Sequence, residues 1–122
     1  MQGSCLCGAV TFSGRVDDPT VTACHCSQCR KWSGHLWASF HLDDPQISGD
    51  SLRWFESSPG IRRGFCATCG TSLFWQPEGR SAVSVSAGAI DNPTGLRLSQ
   101  HIYVADRGDY YDIADDLPQR DD

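Results

Sequence analysis

Three thiols crowd into six residues at Cys24-His25-Cys26-Ser27-Gln28-Cys29, and three cannot all be satisfied by pairing with one another. Thiols gathered this way look like ligands for a metal such as zinc, which takes sulfur in tetrahedral geometry. Four protein ligands close such a site, whereas three leave one position open to water or substrate. The other four of the seven cysteines form two short pairs, Cys5-Leu6-Cys7 and Cys66-Ala67-Thr68-Cys69, which together would complete a four-thiolate site. Seven therefore divides into a closed set of four and an open set of three. A disulfide framework fits poorly, because the count is odd and a Cys-x-Cys spacing is cramped for a disulfide. The spacing also permits a single zinc ribbon made by Cys26, Cys29, Cys66 and Cys69, a non-catalytic binding module, but that grouping leaves Cys5, Cys7 and Cys24 without a use.

The residues after the triad bear on what could enter an open site. Arg30-Lys31-Trp32 sets two cations and an aromatic ring beside it, where they could hold a substrate carboxylate, the arginine through two parallel hydrogen bonds. The structural alternative has Arg30 capping backbone carbonyls of the metal turn and Lys31 in solvent. Arg62 and Arg63 are less directly placed cations. If Cys24 and Cys26 continue a strand, alternation puts both on one face and turns His25 to the other, so His25 is not an obvious fourth ligand. Its role stays open between a hydrogen-bonded structural imidazole and a partner of the metal site.

The elements that must position these groups read as short strands. Ala9–Ser13 leaves the first cysteine turn, Thr20–Ala23 delivers Cys24, and His35–Leu42 alternates so that Leu36, Ala38, Phe40 and Leu42 face a core while Trp37 and His41 face away. Asp43-Asp44-Pro45 reads as a turn, Leu52–Glu56, Ile61–Phe65 and Thr71–Trp75 as strands around the second cysteine pair, and Ala82–Gly88 as another. Cys26 to Cys29 reads as a tight turn, and His101–Val104 as a short extended segment before an acidic tail. The expectation is one domain spanning residues 1–122, mostly antiparallel β with few short helices, tied at the metal turns.

Composition narrows the function classes. With 39% hydrophobic and 20% charged residues the chain should fold. A net charge of −5, without a dense Lys/Arg cluster, argues against general affinity for nucleic acid or an anionic membrane. No secretory leader or membrane-length apolar run is evident, so the expected location is cytoplasmic.

Three cysteine groups in this order resemble the family of glutathione-dependent formaldehyde-activating enzymes, whose domain is shared with centromere protein V. The resemblance rests on Ser4-Cys5-Leu6-Cys7-Gly8-Ala9-Val10, on Cys24 to Arg30 with Ser33-Gly34, on Phe65-Cys66-Ala67-Thr68-Cys69-Gly70, and on His101 to Asp106 with Leu117-Pro118. It implies a β-tent fold, a structural zinc on Cys5, Cys7, Cys66 and Cys69, and a catalytic zinc on Cys24, Cys26 and Cys29. It also implies a carbon-sulfur lyase that makes or breaks S-hydroxymethylglutathione from glutathione and formaldehyde; a related enzyme of another thiol adduct fits the same residues. Tyr110 stands where such tails more often carry Trp.

Overall fold

The computed structural model describes all 122 residues. Nine strands, one short helix and two single 3-10 turns make up the chain. In order they are β1 (Gln2–Ser4), β2 (Thr11–Arg15), β3 (Thr20–Cys24), α1 (Ser27–Ser33), β4 (Trp37–Ser48), β5 (Leu52–Ser58), β6 (Ile61–Cys66), β7 (Ser72–Pro77), β8 (Val83–Ser86) and β9 (Arg97–Ile102). The fold is thus mainly antiparallel β, as the alternation patterns indicate.

β4 organises the sheets. Its first half lies between β3 and β8, and its second half pairs with β2, which in turn carries β1. The series continues from β8 through β7 and β6 to β5 at the far edge. Asp43-Asp44-Pro45, read from sequence as a turn, lies inside this strand. Ser13 opposes Gln46 and Arg15 opposes Asp43, so β4 carries one extra residue there. Asp44 takes the positive φ of 47°, and a bulge is one of the few places where a strand tolerates proline. The turn-like composition therefore marks a bend in a continuous strand, which hands it from one group of partners to the other.

The tail also departs from expectation. The segment before His101 forms a full strand, β9, which runs parallel to β3, with Ala23 opposite His101 and Cys24 opposite Ile102. It is the one parallel pairing between two of the strands, extended by an isolated parallel bridge from His101 to Gln119.

The main core gathers Val10, Phe12, Phe40, Leu42, Leu73 and Phe74 between the strands, with Phe12 and Phe74 edge to face at 5.5 Å. Cys5 and Cys66 belong to this core, while Cys24, Cys29 and Trp37 form a separate small one. Trp37 does face away from the main core, as alternation requires. The side it faces is buried too, because the cysteine triad lies there.

Candidate metal centres

The sulfurs of Cys5, Cys7, Cys66 and Cys69 lie within 4.8 Å of one another, and those of Cys24, Cys26 and Cys29 do the same. The four-plus-three division of the sequence is the division in space. Cys26 and Cys29 fall in a different cluster from Cys66 and Cys69, so the single-ribbon grouping is not formed.

The closed cluster joins residues far apart in the chain. Cys5 and Cys7 leave β1, and Cys66 and Cys69 flank the turn between β6 and β7. Sulfur separations of 3.7 Å for Cys5–Cys7 and 3.9 Å for Cys7–Cys66 match the edge of about 3.8 Å that a tetrahedron with metal–sulfur bonds of about 2.3 Å would have. Backbone and side chains support the sulfurs: the Val10 amide donates to Cys5 Sγ at 3.3 Å, and Thr71 Oγ1 lies 3.1 Å from Cys69 Sγ. That Thr71 bond holds the Cys69 thiol down at about 5. Donor type, number and spacing all fit a metal ion here.

The open cluster is local, and α1 builds it. The Cys-x-x-Cys segment that reads as a tight turn is a seven-residue helix with Cys26 as its N-cap: Cys26 Sγ accepts from the Cys29 amide at 3.3 Å. Gly34 ends the helix in the left-handed region at φ 90°, its amide bonded to the Arg30 carbonyl. Nothing in Ser27–Ser33 opposes helix, since it holds no proline, glycine or β-branched residue. Helical geometry then brings Cys29 back beside Cys26, while β3 supplies Cys24.

Burial distinguishes the three cysteines. Cys24 and Cys29 are 9% and 3% exposed, while Cys26 is only half-buried at the rim. Trp32, Trp75 and Ile102 pack around them with Trp37, and the Trp37 indole donates to Ser86 Oγ at 2.7 Å. Without a metal, crowded thiols cannot all ionise. Hydrogen bonds from Cys24 and Cys29 push the Cys26 thiol down to about 2, and the same contact with Cys26 pushes Cys24 far up. Cys29 is lowered by Cys24, but Cys26 and burial outweigh that and leave it raised. Of the three, the rim sulfur of Cys26 is the one most readily ionised, while Cys24 and Cys29 hold their protons more tightly.

The cations sort differently from their order in sequence. Arg30 is half-buried, and its Nε donates to the Asp106 carbonyl at 3.2 Å; its two terminal nitrogens make no bond within the chain. Lys31 is exposed and unpaired. Arg62 lies on the outer face of β6, its guanidinium 3.8 Å from the Trp54 ring centre and bonded to Gln76. Arg63, its neighbour, points inward, is 4% exposed, and places Nη1 3.7 Å from Cys29 Sγ. Strand alternation already says that one of two adjacent arginines must face in. Only the sheet shows which.

His25 is fully buried and turned away from the sulfurs toward β9 and the tail. Its Nε2 lies 2.8 Å from His101 Nδ1, its Nδ1 2.7 Å from the Tyr111 hydroxyl, and His101 Nε2 2.9 Å from Asp115 Oδ2. A carboxylate only accepts, so with both rings neutral the protons run one way: Tyr111 O–H to His25, His25 Nε2–H to His101, His101 Nε2–H to Asp115. Burial keeps His25 below the usual imidazole range. The chain of bonds ties the tail to the residue between two candidate ligands, and it was invisible in the sequence because 76 residues separate His25 from His101. Tyr110 belongs to the same corner, its hydroxyl 2.7 Å from His35 Nδ1.

Comparison with known proteins bears on the fold and on the family. A crystal structure of a Rhodobacter sphaeroides protein, 24% identical, superposes with a TM-score of 0.61 over 81% of this chain and all of that one, and shares the fold. An uncharacterized lyase of Schizosaccharomyces pombe is 27% identical over 93% of this chain and 85% of its own length. A candidate glutathione-dependent formaldehyde-activating enzyme of Halomonas elongata is 29% identical over 93% of this chain and 80% of its own. The family profile described as glutathione-dependent formaldehyde-activating enzyme matches residues 1–106, which include all seven cysteines, and the chain belongs to that family.

Proposed function

We propose that the protein is a zinc-dependent carbon-sulfur lyase that joins a small thiol, glutathione or a close relative, to formaldehyde or another small aldehyde, and catalyses the reverse reaction. The observation that carries this reading is the contrast between the two clusters: one has a full set of four sulfurs at the edge of the core, the other has three with its most exposed sulfur at the rim. A bound zinc ion would supply sulfur affinity and acidify a thiol that comes to the open position, so that a thiolate is available near neutral pH. Three cysteinates blunt the ion's Lewis acidity, which makes placement of the sulfur the larger contribution.

The chain's own residues do the rest. Trp32, Trp37 and Trp75 with Ile102 wall the triad and limit the water that competes with the aldehyde. Arg30 has two unused terminal nitrogens beside α1, suited to a carboxylate in fork geometry, and exposed Lys31 adds charge beside it. In the forward step the thiol sulfur bonds to the carbonyl carbon, the carbon-oxygen double bond becomes single, and the thiol proton ends on the new hydroxyl. No electron acceptor is required. A reducing cytoplasm suits seven free thiols.

The test is exchange spectroscopy by NMR on glutathione and formaldehyde at equilibrium with their adduct. Wild-type protein with both sites filled accelerates the exchange; Cys26→Ser, which keeps the helix cap but loses a ligand, does not. No acceleration by the wild type with glutathione, but acceleration with another small thiol, would move the assignment to that thiol.

A further inference from the structure

Arg63 is a buried guanidinium without a carboxylate. It is 4% exposed and takes part in no ion pair, and each of its three nitrogens has a neutral or sulfur partner: Nε with Ser57 Oγ at 3.3 Å, Nη2 with Gln28 Oε1 at 3.3 Å and Nη1 with Cys29 Sγ at 3.7 Å. Its carbon sits 5.1 Å from the centre of the Trp32 ring. A buried cation is costly unless an opposite charge lies close by, and the only candidates facing it are the sulfurs of the triad. Arg30, Arg62 and Lys31 do not share this position: the first reaches Asp106, the second lies on the outer face, the third is in solvent.

The charge count explains why a cation belongs there. Three cysteinates around a divalent ion sum to −1, and a fourth thiolate would make −2 in a half-buried pocket of an acidic protein. One guanidinium brings these sums to 0 and −1. Fork geometry lets it do so while bonding both Cys29 and Gln28, two residues of the same helix. We propose that Arg63 is the counter-ion of the three-sulfur centre, a positioning residue that hydrogen-bonds the Cys29 sulfur and balances the centre's charge rather than one that grips substrate. The proposal rests on the reading of Cys24, Cys26 and Cys29 as metal ligands, and its test uses metal alone, so that a failure of the glutathione assignment leaves it standing.

The experiment keeps the four-cysteine site filled with zinc, refills the open site with cobalt(II), and measures affinity by chelator competition and the sulfur-to-cobalt charge-transfer band by absorption. Arg63→Gln keeps hydrogen-bond donors but removes the charge. It should lower open-site affinity about ten- to a hundredfold, the usual range for partners of metal ligands, and shift the band, with the closed site unchanged. Arg63→Lys should fall between Gln and wild type. Unchanged open-site affinity in Arg63→Gln overturns the proposal, and so does an equal loss at both sites, which would make Arg63 merely structural. Should Arg63→Gln not fold, Arg63→Met, uncharged, apolar and of similar reach for a buried position, decides in its place: a selective loss at the open site supports the proposal, and no loss overturns it.

Discussion

Removing one ligand from each cluster should destabilise the protein by different amounts, and the difference follows from chain length. The closed cluster ties Cys7 to Cys66 across 59 residues, whereas the open cluster ties Cys24 to Cys29 within one short segment. The entropy of closing a loop grows as about (3/2)RT ln n, so a tenfold ratio of loop lengths makes the closed cluster worth about 2 kcal/mol more than the open one. The cross-link formula gives about 4 kcal/mol for the long closure and about 2 for the short. Cys69→Ser and Cys26→Ser are matched probes: neither sulfur is fully buried, and serine at 26 remains a good N-cap for α1. Chemical denaturation of the zinc-loaded proteins should place Cys69→Ser about 2 kcal/mol below Cys26→Ser. A strong chelator, which empties both sites, should lower wild type by about 6 kcal/mol, the sum of the two closures, and Cys69→Ser by only about 2 kcal/mol, that of the open site it retains. Equal losses in the two variants, or a wild-type melt indifferent to metal removal, would refute the clip.

Three further outcomes are expected. Loading the open site should release two protons near neutral pH, because Cys26 is already ionised there while Cys24 and Cys29 are held protonated; the affinity then rises about a hundredfold per pH unit in that range, and titration calorimetry in buffers of different ionisation enthalpy counts the protons. Arg30→Lys should weaken glutathione binding by about 1–2 kcal/mol if the fork holds a carboxylate; calorimetric binding with unchanged affinity and a lowered melting temperature would instead make the Asp106 contact its purpose. Gly3→Ala should cost about 1–3 kcal/mol by overpacking, since a Cβ there would strike the Ala89 carbonyl oxygen and lie 2.7 Å from the Phe12 ring; a denaturation midpoint equal to wild type would contradict the close approach of β1 to the segment after β8.

How much of this was legible in the sequence depends on how local each cause is. Ligand spacing is local, so both clusters could be named from seven cysteines alone. Strands with strict alternation, such as β4 from Trp37 to Leu42, were legible for the same reason. The bulge at Asp44-Pro45 was misread because its residues are turn formers, and only pairing with β2 on one side and β8 on the other carries the strand through them. The helix after Cys26 was missed because seven residues show too little periodicity to outweigh a Cys-x-x-Cys spacing that usually means a turn.

The residues that surround the open cluster are brought there by distant pairings, which spacing along the chain does not show. Nearness to Cys29 favours Arg30, but a residue one step after a helical ligand points about 100° away from it, and Arg30 accordingly reaches the tail at Asp106. Arg63 is 34 residues from Cys29 in sequence and meets it because its side chain reaches from β6 to Cys29 and Gln28 of α1. The same geometry explains the tail. β9 runs parallel to β3, so Ile102 and His101 arrive beside Cys24 and Ala23, and the His25 amide bonds the Ile102 carbonyl at 3.0 Å. His101 then aligns with the side chain of His25, and Asp115 and Tyr111 close the line from outside. Cys24 and Cys26 are thus held from both sides of the backbone, by the sulfur cluster on one and by this line of hydrogen bonds on the other. A metal held by this triad would have no fourth protein sulfur to fix its geometry, and the hydrogen-bond partners of His25, between Cys24 and Cys26, would help hold that stretch of backbone in place.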